Sequence, residues 1–339
     1  MSDEAAAVQL EGAKTILRRG AIGVSSMKYF WSFFLAISFG LLESACGGGS
    51  PSTNATTSTT PGTIPAVAHV FIVVEENHSY GDVIGNSGMP YFNGLANSYG
   101  LATQYYANAH PSLPNYFELT AGDATSVTGV LGDSYPGPMT QDNIVRALAG
   151  AGRTWKSYAE SLPAIGYLGG SSGAYDKAHN PFAYFSDVID DPTQAGDVVP
   201  FTQLGADIAA GTVPNYAFIA PNLNDDAHDC PAGLSSCTDQ QKLTAADQWL
   251  HTNIDPVIKS TIFQNSLMVI VFDEGELTDI ENLGGHVAAI IISPKSKTGY
   301  QSTTTYQHES VLRLSLKALG VTDLPGDAAT APDMDEFFR

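Results

Sequence analysis

Apolar positions along the chain fall into two kinds of segment. Uninterrupted apolar runs occupy residues 70–74, 216–220, 267–272 (after Ser266) and 287–292. Runs of that length, bounded by Asn, Gly or charged residues, read as strands covered on both faces, as in a parallel sheet flanked by helices. Elsewhere apolar residues recur three and four apart, with Ala246, Trp249 and Leu250 inside 244–254 and Val311, Leu312, Leu316 and Leu319 inside 308–319. That spacing predicts helices with one buried stripe. Helices are also expected over 89–98, 117–122, 141–149 and 201–211, and weaker strands over 101–107 and 153–159. Strands alternating with helices predict an α/β domain whose central sheet is mainly parallel, with helices on both faces. Residues 162–200, rich in Gly, Tyr and Asp, are long for a loop and read as a rim or lid over a site.

Three of the apolar runs end in side chains that bind metals or move protons. Residues 70–74 lead into Glu75, Glu76 and Asn77, residues 216–220 into Asn222, Asp225, Asp226 and His228, and residues 267–272 into Asp273 and Glu274. Ligands of parallel sheets bind beyond the carboxyl ends of the strands, so these endings describe one shared edge. Ser112, in His110-Pro111-Ser112-Leu113-Pro114-Asn115, stands near a helix N-terminus, where backbone N–H groups favour an anion. A helix cap is the commoner duty of a serine there.

Composition narrows the partners. With 35 acidic against 15 basic residues and a formal net charge of −20, the chain should repel nucleic acid, and it should meet a membrane only through an anchor. Any site for an anionic ligand in a chain so short of Lys and Arg would need cations. Residues 29–42 form an apolar run shorter than the roughly 20 residues that span a bilayer, so residues 1–46 read as a signal-peptide region with Met27 as the true start. Cys46, followed by three glycines and a serine, resembles a lipoprotein cleavage site and is the candidate for lipidation. Residues 47–65, mostly Gly, Ser, Thr and Pro, read as a disordered linker, 66–322 as the folded domain and 323–339 as a C-terminal tail. In an exported chain Cys230 and Cys237 are expected to form a disulfide.

Five motifs then appear in order: Glu75-Glu76-Asn77-His78-Ser79, His110 to Tyr116, Asp225-Asp226-Ala227-His228-Asp229, Phe272-Asp273-Glu274 and Gly285-His286-Val287. Together they resemble the bacterial phosphoesterase family of secreted acid phosphatases and phospholipases C, a branch of the alkaline phosphatase superfamily. The resemblance runs from about Ala68 to Gly320 and implies an alkaline phosphatase-like fold. It implies a secreted, metal-dependent phosphomonoesterase of the acid phosphatase type, working through a phosphoserine. Ser112 would be the nucleophile and Asn115 a phosphate ligand, while His110 would touch phosphate, orient Ser112 or simply pack. One divalent ion would take Glu76, Asn77, Ser112 and Asp273, with Glu274 where many members have His. A second would take His228, His286 and a carboxylate of the Asp225–Asp226 pair, taken as Asp225. Whether one or two ions are bound stays open; the oxygen ligands suit Mg, Mn or Ca, and the histidines leave Zn open. Lys156 and His179 are candidates for the substrate rim, His308 reads as a cap or surface residue, and His69, His78 and His251 read as structural. The expected substrate is a small-molecule or lipid phosphate ester. Two other readings stand beside this one: a phospholipase C or other phosphodiesterase on the same core, and a non-catalytic cell-surface binding protein.

Overall fold

The apolar runs form the middle of one eight-stranded sheet. Its strands are β1 (His69–Glu75), β2 (Gly100–Ala102), β3 (Trp155–Ala159), β4 (Val198–Pro200), β5 (Tyr216–Ala220), β6 (Ser266–Phe272), β7 (Ala289–Ile292) and β8 (Tyr300–Ser302). They lie in the order β4-β3-β5-β1-β6-β7-β2-β8. The computed structural model describes residues 62–123 and 132–339, so residues 1–46, Cys46 and the linker up to residue 61 lie outside the described residues. Among the described residues no helix is long and apolar enough to cross a membrane.

β1 pairs in parallel with both β5 and β6, whereas β7 runs antiparallel to β6 and to β2. The carboxyl ends of β1, β5, β6 and β2 and the amino end of β7 therefore share one edge. Register sets the fine alignment: Glu75 lies opposite Phe272, and the Asp273 N–H donates to Glu75 O at 2.9 Å, so Glu76 and Asp273 leave the sheet side by side. Every residue of β5 and β6 is buried, which requires cover on both faces.

That cover comes from helices whose ends the sequence encodes locally. α1 (Pro90–Ser98) starts on a proline, and the Asp247 carboxylate caps it in trans by accepting from the Tyr91 and Phe92 N–H groups. α2 (Ser112–Ala121) stops at Gly122, whose φ of 71° suits a residue without a Cβ. α3 is Ile144–Gly150, capped by Asn143, and α4 is Gln203–Ala210. α5 (Asp239–Asn253) begins earlier than the apolar spacing predicts, because Thr238 and Gln241 form a capping box that starts the helix one polar turn ahead of its buried stripe. α6 is His308–Ala318. α1 reaches the sheet through Phe92 against Phe272, and α2 through Tyr116 against Phe218.

The C-terminal residues are not a tail. Met334, Phe337 and Phe338 are buried in the same core as the sheet, and Glu336 accepts from the hydroxyls of Tyr300, Ser302 and Tyr306. Packing also begins slightly before Ala66, since Ile64 lies against the core.

Candidate active site

Glu76 is the pivot of the shared edge. It is fully buried, and it belongs to two groups of possible ligand atoms, one with Asp273 and Glu274 and one with His179 and Asp226. Asn77 follows with φ 52°, a left-handed turn that Asn tolerates and that points its N–H at Asp273 Oδ1, 3.1 Å away. Asp273 Oδ1 also accepts from the Glu274 N–H, while Oδ2 is buried with no partner. Ser112, at the start of α2, donates to Glu76 Oε1 at 2.5 Å and lies 3.1 Å from Glu274 Oε1. One hydroxyl carries one proton and cannot satisfy both carboxylates, so the pocket around Ser112 is short of positive charge.

The ionisation of these groups follows from that shortage. Burial, then the charges of Glu76 and Glu274, holds the Asp273 carboxyl well above its usual range. Burial and Glu76 push Glu274 up to about 7, against the pull of His110, and burial pushes Asp226 up to about 6 against the pull of His179. Burial opposes the charge on Glu76 too, yet His179, His228 and the Ser112 hydroxyl outweigh it and hold this carboxyl below its ordinary value. Burial also opposes charge on His179, but Glu76 and Asp226 keep the imidazole protonated well above its usual range. Buried carboxylates take up either protons or a cation. The partnerless Asp273 Oδ2 and the hard oxygen donors of Glu76, Asp273, Glu274 and Ser112 fit a divalent ion.

The structure corrects several residue roles. Asn115 is turned inward: Oδ1 accepts from the Asn108 and Ala109 N–H groups at 2.9 and 3.0 Å, and Nδ2 donates to Ala109 O at 2.8 Å. It braces the turn that delivers Ser112, and the second proton of Nδ2 has only a long contact, 3.5 Å, to Pro111 O. His286 reaches the edge on the amino side of β7, but its Nε2 lies 3.0 Å from Thr103 O, its ring packs against Tyr80 and Tyr106, and it belongs to neither ligand group. Asp225 gives way to Asp226, which is buried and turned to His179, whereas Asp225 lines a surface hollow with Pro231 and Trp249. Lys156 is tied to Asp207 Oδ2 at 2.6 Å and, with Arg153 and Pro214, lines a hollow at the opposite ends of the strands.

His179 is no rim residue either. It is buried and stacked on Tyr116 at 5.1 Å, with Nε2 2.9 Å from Glu76 Oε2 and Nδ1 3.3 Å from Asp226 Oδ2. These are close ion contacts, since neither oxygen has an aligned hydrogen bond. His110 bonds Glu274 Oε2 through Nδ1 at 2.6 Å and Asp279 O through Nε2 at 2.8 Å, which makes it an orienting group. His228 is half-exposed, 6.5 Å ring to ring from His179, and with Asn77 it lines a surface hollow of about 230 Å³. Cys230 and Cys237 are joined in a disulfide just beyond it.

Sequence reasoning missed two supports. His308 is fully buried, not a surface residue; its Nε2 lies 2.6 Å from Asp273 O and its Nδ1 3.0 Å from the Tyr105 hydroxyl, with burial lowering its pKa to about 4. Asp279 accepts from Ser79 Oγ and the His286 N–H, fastening the loop after Glu274 to the edge. Neither had a signal beyond its polarity, because each acts through a backbone contact that only the fold creates.

The chain is similar to known proteins in sequence and in fold. The model of the Phosphoesterase family matches residues 86–322, leaving Glu76 and Asn77 just upstream. A phosphatidylinositol-3-phosphatase of Mycobacterium tuberculosis is 35% identical over 217 residues, covering 63% of this chain and 65% of that protein. A probable acid phosphatase of Kluyveromyces lactis is 28% identical over 255 residues, 73% of this chain and 57% of that protein. The chain thus spans under two thirds of the length of these relatives. Among solved structures, an alkaline phosphatase superfamily protein from Vibrio parahaemolyticus is similar with a TM-score of 0.53 at 17% identity, over 82% of this chain and 71% of that one. The phosphonate monoester hydrolase of Agrobacterium radiobacter is similar with a TM-score of 0.55 at 14% identity, over 80% and 77%. At such identities the structures speak for the fold.

Proposed function

Because the chain belongs to the Phosphoesterase family, we propose that it is a metal-dependent phosphomonoesterase of the acid phosphatase type, with Ser112 as nucleophile. The observation that carries this reading is the contact of Ser112 Oγ with Glu76 Oε1 at 2.5 Å, beside the partnerless Asp273 Oδ2. A divalent cation held by Glu76, Asp273 and Glu274 would favour the serine alkoxide and offset charge on the transferring phosphoryl oxygens. Ser112 Oγ gives up its proton toward Glu76, its oxygen forms the bond to phosphorus, and the ester oxygen leaves. His228, half-exposed in the hollow that Asn77 also lines, is assigned the proton for that leaving oxygen. Water then cleaves the phosphoserine and regenerates Ser112. His110 positions Glu274, and His179 supplies positive charge behind Glu76. Export through residues 1–46, with lipidation at Cys46, belongs to the same proposal.

One observation favours a lipid ester over a small soluble one. Leu277, Ile280 and Leu283 are 75%, 73% and 76% exposed on the loop that follows Glu274, and Leu277 lines the hollow that contains Asn77 and His228. Exposed apolar residues grouped at a site mark a surface made to be covered, and the acyl part of a phosphorylated lipid would cover this one.

Assays of the full chain against p-nitrophenyl phosphate, bis-p-nitrophenyl phosphate and a phosphorylated lipid, with and without chelator, test these readings. The expected result is monoester turnover that chelation abolishes and that Ser112→Ala lowers at least about a thousandfold. Preferential diester turnover would favour a phosphodiesterase, inertness a binding protein, and an active Ser112→Ala would refute the nucleophile.

A further inference from the structure

Cations are scarce in this chain, and one of them lines the hollow beside the ligand group. The hollow of about 230 Å³ that contains Asn77 and His228 is also lined by Lys242, Leu277, Asp239 and Glu276, and Lys242 is the only Lys or Arg among its lining residues. Two residues join this hollow to the candidate site. The Asn77 N–H donates to Asp273 Oδ1 at 3.1 Å, and the His228 ring lies 6.5 Å from that of His179, whose Nε2 is 2.9 Å from Glu76 Oε2.

Structural duties account poorly for this lysine. Its contact with Asp239 Oδ1 spans 3.5 Å, whereas Lys156, Lys259 and Lys317 hold their carboxylates at 2.6, 2.6 and 2.7 Å. A surface pair that loose contributes little. Lys242 is also the fourth residue of α5, near the end where the helix dipole favours acids and disfavours a cation. Yet its side chain is only 25% exposed against 66% for Asp239, so water screens its charge less than that of its neighbour. Glu276 is exposed as well. A largely covered ammonium without a close partner calls for an anion. Ser112, Asp273 and Glu274 do not line the hollow, so that anion is a second one, beyond the phosphoryl group at Ser112. We propose that Lys242 holds a second anionic group of the substrate, so that the site prefers phosphomonoesters carrying a further phosphate or phosphodiester. A bisphosphorylated sugar offers this chemistry, and so does a lipid headgroup with a monoester beyond its diester, whose apolar part would meet Leu277. The inference rests on the reading of Ser112 as nucleophile.

The test measures kcat and KM of the full chain, loaded with Mg or Mn, for two substrate pairs that differ by one anion. Glucose 1,6-bisphosphate is compared with glucose 6-phosphate, and dioctanoyl phosphatidylglycerophosphate with dioctanoyl phosphatidic acid. The wild-type chain is expected to favour the two-anion member of a pair about tenfold in kcat/KM, chiefly through KM. Lys242→Met, which keeps the aliphatic stem, should abolish that preference, and Lys242→Arg should retain it. Lys259→Met, which removes an equal charge from an exposed residue outside the hollow, should leave the preference intact. A preference in both pairs supports a site for the second anion as such; one confined to the lipid pair or to the sugar pair supports it and identifies the source. No preference in either pair, a preference that survives Lys242→Met, or one that falls equally in Lys259→Met would overturn the inference while phosphatase function stands. A wild-type chain inert toward all four esters would remove the Ser112 reading and this inference with it.

Discussion

The carboxylates of Glu76, Asp226, Asp273 and Glu274 are buried close to one another, and this fixes how the protein responds to pH. Glu274, raised to about 7, and Asp226, raised to about 6, bind protons more tightly folded than unfolded. Their contribution to stability is therefore present below the ordinary carboxyl range and lost as pH rises through about 6 to 7. His308, lowered to about 4, acts in the other direction and loses stability as pH falls from its ordinary range, about 6.5, toward 4. In chelator the melting temperature should peak near mildly acid pH and fall toward about pH 7.5, whereas Mg, Mn or Zn should raise it most where protons have left. Scanning calorimetry across pH, with and without ion, checks this; an equal ion-induced shift at pH 5 and 7.5 would contradict it. At this scale residue types were legible and their aim was not. Asp225 and Asp226 are adjacent and chemically equal, and only the fold, with its turn at Ala227 (φ 80°), shows which one faces His179. Asn115 sat in the right motif, but its Oδ1 is used by the turn at Asn108 and Ala109.

Long apolar runs and amphipathic stripes announce themselves at the element scale, and short edge elements do not. β1, β5 and β6 are close to the predicted runs, because full burial on both faces demands unbroken apolar sequence. β4 and β8, three residues each at the outer margins of the sheet, are too short to carry a period. The C-terminal segment read as a tail because its apolar residues are few, yet Phe337 fills space against Tyr300 and Tyr306, and its ring lies where a Cβ on Gly100 would sit. Phe337→Ala should accordingly cost about 3–5 kcal/mol of stability, read by urea unfolding. A loss within about 0.5 kcal/mol would show that the segment is dispensable.

The whole molecule brings chemistry from five separated segments to one edge. Parallel pairing of β1 with β5 and β6 explains why three runs that end in ligand side chains converge, and this was readable from the sequence alone. The depth of His179 was not, since it comes from a 39-residue stretch without long elements, from 162 to 200, and is held by stacking on Tyr116 rather than by any local pattern. Convergence makes Ser112 the group closest to two carboxylates and to a buried oxygen in need of a cation. The most direct measurement is rapid acid quench of the ion-loaded full chain during turnover of a phosphomonoester, followed by mass spectrometry of the peptide that carries Ser112. The account predicts one phosphoryl group on Ser112 that forms and decays within the catalytic cycle; sustained turnover with no phosphoryl group there would contradict it.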